Sequence, residues 1–205
     1  MLLSIDTSAG TSVAVVDLDD GILSEVSEAD TRGHAEAIGT LIERAIATAG
    51  VRNGDLSGVV AGMGPGPFTG LRVGIAAARA FAFGIGKPVV PLASHDAVAF
   101  GRTSPTLVVT DARRREVAWS VYSAPDADGL PVLVAGPRLA HPDELATLVE
   151  GYATLDRVDA VEISAGSLGM LAERLYAAGR RFGPTEPLYL RAPDVTLSAP
   201  KRVTG

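Results

Sequence analysis

One stretch constrains this chain more than any other. Phe68–Ile85 contains Leu71, Val73, Ile75, Ala76, Ala77, Ala78, Ala80, Phe81, Ala82, Phe83 and Ile85, and its only charged residues are Arg72 and Arg79. A helix with almost no polar face must be covered on every side. Gly70, Gly74 and Ala78 fall at i, i+4 and i+8, so another backbone can approach closely along that strip. In a chain of 205 residues, one side of this helix packs on a sheet and the other is left to water unless a second molecule covers it. A second helix is expected over His34–Ala49, where Ile38, Leu41, Ile42, Ala45, Ile46 and Ala49 recur at helical spacing before Gly50. The sequence is read as placing Ile38, Leu41, Ile42 and Ala45 with Leu71, Ile75 and Ala78 in an intermolecular helix bundle. On that reading, Leu41→Arg or Ala78→Arg breaks pairing and leaves the fold soluble. The competing reading is a central helix buried by the chain's own second lobe.

The apolar helix follows a Gly-rich turn, Gly62-Met63-Gly64-Pro65-Gly66-Pro67-Phe68-Thr69-Gly70-Leu71-Arg72-Val73-Gly74. Such turns can offer backbone N–H groups to a phosphate. The Walker pattern needs Gly-Lys-Ser/Thr here and there is no Lys. The dinucleotide fingerprint needs an acidic residue about 20 positions on, where the chain is apolar. A tight turn into a closely packed helix is the simpler reading. Asp6-Thr7-Ser8-Ala9-Gly10-Thr11 is a strand-end turn that brings Thr7 and Ser8 within reach of an anion, or else a plain Asx/ST turn. Asp111-Ala112-Arg113-Arg114-Arg115-Glu116-Val117 is a basic turn whose Arg113 and Arg114 either contact an anion or RNA or are solvated.

Around these segments the pattern is α/β. Strands are expected over residues 2–5, 13–16 and 22–27, with Asp19-Asp20-Gly21 as a hairpin turn rather than a calcium loop. Further strands are expected over 56–62 and 89–92, then a helix capped by Ser94 and running to about Phe100. After Arg102-Thr103-Ser104-Pro105 the pattern restarts, with strands over 106–110, 116–123, 131–139 and 158–163 and helices over 142–150 and 167–178. The expected division is an N-terminal lobe, 1–102, a C-terminal lobe, 103–191, and a flexible tail, 192–205.

Several chemistries are excluded or thin. There is no cysteine, so disulfides, thiolate metal sites and Cys nucleophiles are absent. His34 has Ile38 at i+4, where a metal pair needs a second ligand, so no metal is expected. Ser94-His95-Asp96 has triad residue types, but sequence neighbours do not readily converge on one another. Gly166-Ser167-Leu168-Gly169 lacks the glycine of a nucleophile elbow, because Ala165 stands two before the serine. His141 precedes Pro142 and reads as the start of a helix. Net charge is −6, with 6 basic and 11 acidic residues in positions 1–100. An RNA role therefore needs a basic partner or the arginines of the second half. No apolar run is expected to span a membrane, and with no signal peptide at Met1 the expected location is the cytoplasm.

Taken together, Leu3-Ser4-Ile5-Asp6-Thr7-Ser8, His34-Ala35-Glu36, the motif Gly64-Pro65-Gly66-Pro67-Phe68-Thr69-Gly70-Leu71-Arg72-Val73-Gly74, the 111–117 turn and Tyr189-Leu190-Arg191 resemble the TsaB (YeaZ) family over most of the chain. Pro67 stands where the family usually has Ser. The resemblance implies an actin-like ATPase (ASKHA, ribonuclease H-like) fold of two small lobes. It implies a non-catalytic subunit that helps form N6-threonylcarbamoyladenosine in tRNAs reading ANN codons. The partners implied are the paralogue TsaD and, through it, the ATPase TsaE, with a homodimer when the chain is alone and tRNA bound only through the complex. No cofactor of its own is implied, though ATP or ADP has a place at the subunit interface. The alternative is a glycoprotease-like hydrolase or a small-molecule kinase of the same fold.

Overall fold

The computed structural model describes residues 1–28 and 34–191, with the side chain of His34 outside that description. The expected tail, 192–205, lies outside the described residues. The chain begins as a meander of β1 (Leu2–Asp6), β2 (Thr11–Asp17) and β3 (Gly21–Glu28), followed by α1 (His34–Ala49). Then come β4 (Gly58–Gly62), α2 (Phe68–Ile85), β5 (Val89–Leu92) and α3 (Ser94–Ala99). The second half has β6 (Thr106–Asp111), β7 (Val117–Tyr122), β8 (Leu133–Ala140), the short α4 (Leu145–Leu148), β9 (Asp156–Ala160) and α5 (Ala165–Ala177). The helix expected over 142–150 is broken into a 3-10 turn at Pro142–Glu144 and the single turn of α4.

The first sheet runs β3-β2-β1-β4-β5 and the second β8-β7-β6-β9. In the first, β1–β2 and β2–β3 pair antiparallel while β1–β4 and β4–β5 pair parallel. In the second, β6–β7 and β7–β8 are antiparallel and β6–β9 is parallel. The same sequence of a meander, a crossover and a parallel strand therefore occurs twice, as the resemblance implies for an actin-like fold of two lobes. No residue-level repeat carries this symmetry.

The first sheet is covered on both faces. Alternate residues of β2 divide between them: Val13 and Val15 join Leu3 and Ile5 under α1 and α2, while Ala14 and Val16 join Leu2 and Val60 under α3 and α5. That alternation follows from the period-2 geometry of a strand. Gly169 lets α5 settle close to the sheet, because a Cβ there would stand 2.8 Å from Val16 Cγ2 and 3.1 Å from Ser4 Cβ. So α5, which follows the second sheet in the chain, packs on the first. The span 103–191 thus contributes a layer to the N-terminal half. The second sheet has a smaller core of its own, built from Leu107, Val109, Trp119, Val121 and Leu145.

The placement of α1 and α2 corrects two expectations. Ile38, Leu41, Ile42, Ala45, Leu71, Ile75 and Ala78 are all buried within the chain's own first core, with Ala45, Leu71 and Ala78 fully so. They face the sheet and each other in the chain's own core, so they do not form the exposed helix face that the bundle reading requires. By length and composition α2 would also suffice to cross a membrane, contrary to the expectation. Its inward stripe of Gly70, Leu71, Gly74, Ile75, Ala78 and Ala82 is nevertheless buried as in a core helix. The outward face of α2 is Thr69, Arg72, Ala76, Arg79, Ala80, Phe83 and Gly84.

Candidate functional site

The end of β1, the Gly-rich turn and the start of α3 form one hydrogen-bonded junction. Asp6 closes β1 with 1% of its surface exposed. Its Oδ1 accepts from the Ser8 amide at 2.8 Å and the Ser8 hydroxyl at 2.5 Å, and its Oδ2 accepts from the Ser94 hydroxyl at 2.5 Å. Burial pushes the Asp6 carboxyl above its ordinary range, and the hydrogen bonds from Ser8 and Ser94 hold part of that rise back. Gly64 N–H donates to the Ser94 hydroxyl at 3.0 Å, and the Ser94 amide donates to Gly64 O at 2.7 Å. Ser94 is therefore not the helix cap expected of it. Ala93 holds that position without a side-chain bond, and the serine hydroxyl is spent on Asp6.

Thr7 sits beside this junction and ties β1 to α2. Its hydroxyl donates to Gly70 O at 2.7 Å and accepts from Gly74 N–H at 3.1 Å. The glycines of the motif answer to these contacts. A Cβ on Gly62 would overlap Asp6 Oδ2, one on Gly66 would lie 2.7 Å from Ser8 Cα, and one on Gly74 would overlap Thr7 Oγ1. The close approach marked by the small-residue strip is thus made to the β1 loop of the same chain, not to a second helix. Gly74→Ala is expected to cost roughly 1–3 kcal/mol, as overpacking at a held site does. A lower urea midpoint at an unchanged slope would register that loss, and an unchanged midpoint would contradict this packing.

Of the two readings of the strand-end turn, an anion contact through Thr7 and Ser8 or a plain Asx/ST turn, the hydrogen bonds are those of a turn. With 1% and 3% exposure and hydroxyls spent on Gly70, Gly74 and Asp6, their side chains face inward. In an actin-like fold this loop would cradle a nucleotide phosphate. The residues present do not fit that role through their side chains, and Asp6 has no oxygen directed at solvent to hold a hydrated metal.

The next two residues of α3 reach the other sheet. His95 Nδ1 is 2.8 Å from the Ser120 hydroxyl and Nε2 is 2.9 Å from the Thr110 hydroxyl. Burial lowers the His95 pKa to about 3, so the ring is neutral and one nitrogen donates while the other accepts. The Tyr122 hydroxyl donates to Asp96 Oδ1 at 2.7 Å. Burial raises the Asp96 carboxyl, and the bond from Tyr122 opposes the rise. Ser94, His95 and Asp96 thus clip β1 to β6 and β7. Their residue types are those of a triad, and their directions are those of a clamp.

The remaining motif residues border the mouth between the sheets. Phe68, Thr69, Arg113, Arg114, Tyr189 and Arg191 line one cavity of about 350 Å³. Among the described residues no three of His, Asp and Glu come together as a metal site. On the far side of α1 and α2 lies a separate groove of about 460 Å³ that includes Gly39, Ile42, Ile46, Ala47 and Phe81. Phe83 is 89% exposed on the same helix. Of the seven residues expected to form the partner surface, only Ile42 borders this groove; the others lie on the inward side of the same two helices.

Comparison with known proteins gives a consistent picture. The family described as TsaD, tRNA N6-adenosine threonylcarbamoyltransferase, matches residues 21–146, more than half of the chain. An uncharacterized protein of Mycobacterium tuberculosis is 39% identical over 201 residues, covering 94% of this chain and 92% of that protein. The tRNA threonylcarbamoyladenosine biosynthesis protein TsaB of Escherichia coli is 31% identical over 134 residues, covering 63% of this chain and 57% of that protein. A crystal structure from Pseudomonas aeruginosa, described as similar to peptidase YeaZ, superposes with a TM-score of 0.76 at 24% identity, covering 93% of this chain and 99% of that one.

Proposed function

Because this chain belongs to the TsaD-related family of tRNA threonylcarbamoyladenosine proteins, on its TsaB (YeaZ) branch, we propose that it serves threonylcarbamoyladenosine formation as a non-catalytic subunit docked on a TsaD-type paralogue. The observation that carries this reading is the inward commitment of Asp6, Thr7 and Ser8. A loop that would hold a reactive phosphate is instead satisfied by its own neighbours, so the chain's contribution is a surface. That surface is the outer face of α1 and α2: the groove at Ile46 and Phe81 and, further round α2, the exposed Ala76, Ala80 and Phe83. A stable interface buries about 800 Å² per partner, which two helix faces can supply. The TsaE ATPase then joins through the paralogue. The same face pairs two copies of the chain when the paralogue is absent, and ATP or ADP, where present, belongs to the interface.

Phe83→Glu is the test. The side chain is 89% exposed, so the fold tolerates the change, while a charge at an interface centre costs about 2 kcal/mol or more. Co-purification with the TsaD-type partner is expected to drop about 30-fold by that cost, and modified adenosine to fall with it. Undiminished co-purification sinks the surface assignment. Turnover of ATP or a peptide by the purified chain alone would overturn the non-catalytic reading.

A further inference from the structure

Residues 180–191 follow α5 without forming a helix or strand, and none of them is buried. They are nonetheless tied down along their whole length. Arg180 Nη2 donates to Asp126 Oδ2 at 3.1 Å and to Asp128 Oδ2 at 2.7 Å, in the connection from β7 to β8. The Gly183 amide donates to Pro91 O at 2.9 Å and the Leu188 amide to Met63 O at 2.8 Å. Those acceptors belong to β5 and to the turn after β4. A Cβ on Gly183 would stand 3.1 Å from Leu92 Cα, so the segment lies directly against the edge of the first sheet. Two arginines of α2 add to this hold, Arg79 Nη2 donating to Thr185 O at 3.4 Å and Arg72 Nε to the Tyr189 hydroxyl at 3.3 Å. The segment then returns to the second sheet. Arg191 Nη1 donates to Ala112 O at 3.2 Å, and its Nη2 forms an ion pair with Glu116.

The segment thus touches the second lobe at its two ends and the first lobe between them. Its ends lie beyond opposite ends of β7, at Glu116 just before Val117 and at Asp126 and Asp128 past Tyr122. The strand between them has 6 residues, a length of about 17 Å. Inside this span sits the clamp of α3, where His95 meets Ser120 and Thr110 and Asp96 meets Tyr122. Bonds gathered on one short helix act as a pivot, and a hold on either side of a pivot stops rocking about it. The holds are of modest strength. The Arg180 side chain is 50% exposed and that of Arg191 29%, and exposed ion pairs are weak and screened by salt. A segment without a buried side chain, held by such contacts, belongs to the part of a fold that opens locally without global unfolding.

We propose that residues 180–191 are a releasable brace: seated, it holds the two sheets at one angle across the α3 clamp, and released, it lets the second sheet rock. The brace acts within one chain and does not depend on the docking reading.

Distances between the lobes test this. The chain has no cysteine, so D20C/V134C carries the only two thiols, one on the exposed β2–β3 turn and one on the exposed part of β8. Nitroxide labels at both positions, in labelled chain diluted into unlabelled chain, report the separation within one molecule by pulsed electron paramagnetic resonance. One narrow distance is expected for the otherwise wild-type chain. In R180E/R191E both ends of the brace meet like charges. A second distance is expected there, its population about tenfold above that of the seated chain, the scale of losing one charge-assisted contact. R180E/R191E/E116R restores the Arg191 end by exchanging the partners and is expected to return most of the population to the first distance. A single unchanged distance in R180E/R191E would mean that the α3 clamp alone fixes the angle, and the proposal fails. It fails equally if E116R leaves the second distance in place. R180E alone alters only a half-exposed side chain, and it covers the case in which the double variant does not fold. A smaller rise of the second distance is expected in it, and no rise there also overturns the brace.

Discussion

Ala78→Arg is expected to yield no cooperatively folded protein, while Ala80→Arg, two residues on, leaves the fold intact. Two residues on a helix are about 200° apart, and α2 turns that angle into opposite environments. Ala78 is fully buried in the layer that α1, α2 and the first sheet share, whereas Ala80 is exposed. An arginine at position 78 places an unpaired charge in a core, a cost of about 3–5 kcal/mol. Overpacking adds roughly 1–3 kcal/mol. The sum approaches the whole stability of a typical domain, about 5–15 kcal/mol. An exposed substitution usually stays within about 0.5 kcal/mol. Circular dichroism melts of the two variants decide the matter. A wild-type transition for Ala78→Arg would mean that the inward stripe is misassigned, and failure of both would mean that α2 is buried all round.

That comparison also shows what could be read from the chain. The element order, both hairpins and the helices α1 and α2 follow from periodicity and turn chemistry, because these are local properties. The strip Gly70, Gly74, Ala78 announced a close approach, and one exists. A small-residue strip states how near a neighbour comes but not which neighbour it is. Thr7, some 67 positions away from Gly74, is a contact that only the folded β1 loop creates. With apolar residues on every side of α2, periodicity could not say which stripe faces the sheet. The same limit explains Ser94-His95-Asp96. Their identities looked catalytic or capping, and their roles depend on where β1, β6 and β7 lie around one turn of helix. The meeting of residues 66–69, 112–114 and 189–191 at one cleft is likewise a product of tertiary structure.

The buried clamp carries the second large effect, an acid-linked loss of stability through His95. An unfolded histidine takes up a proton below about pH 6.5. Folded His95 stays neutral until about pH 3, because burial disfavours the imidazolium. Between those values the unfolded chain binds the extra proton, so stability falls as pH falls, by about 1.4 kcal/mol per pH unit once well below 6.5. Asp6 and Asp96 act with the opposite sign. Their carboxyls are raised by burial, so the folded state binds protons more tightly and stability falls as pH rises through their raised values. The wild-type curve sums these trends, and a variant is needed to separate them. His95→Gln keeps a neutral side chain that can bond to Ser120 or Thr110 and cannot titrate. It is expected to be less stable than wild type at pH 7. Its deficit should shrink by about 2 kcal/mol between pH 6.5 and pH 4.5, allowing for the gradual onset near the unfolded pKa. Urea unfolding of both proteins across that range measures the deficit directly. A deficit that stays constant would mean that His95 takes up its proton as readily in the folded chain as in the unfolded one, and the clamp to Ser120 and Thr110 would then not depend on a neutral, buried ring.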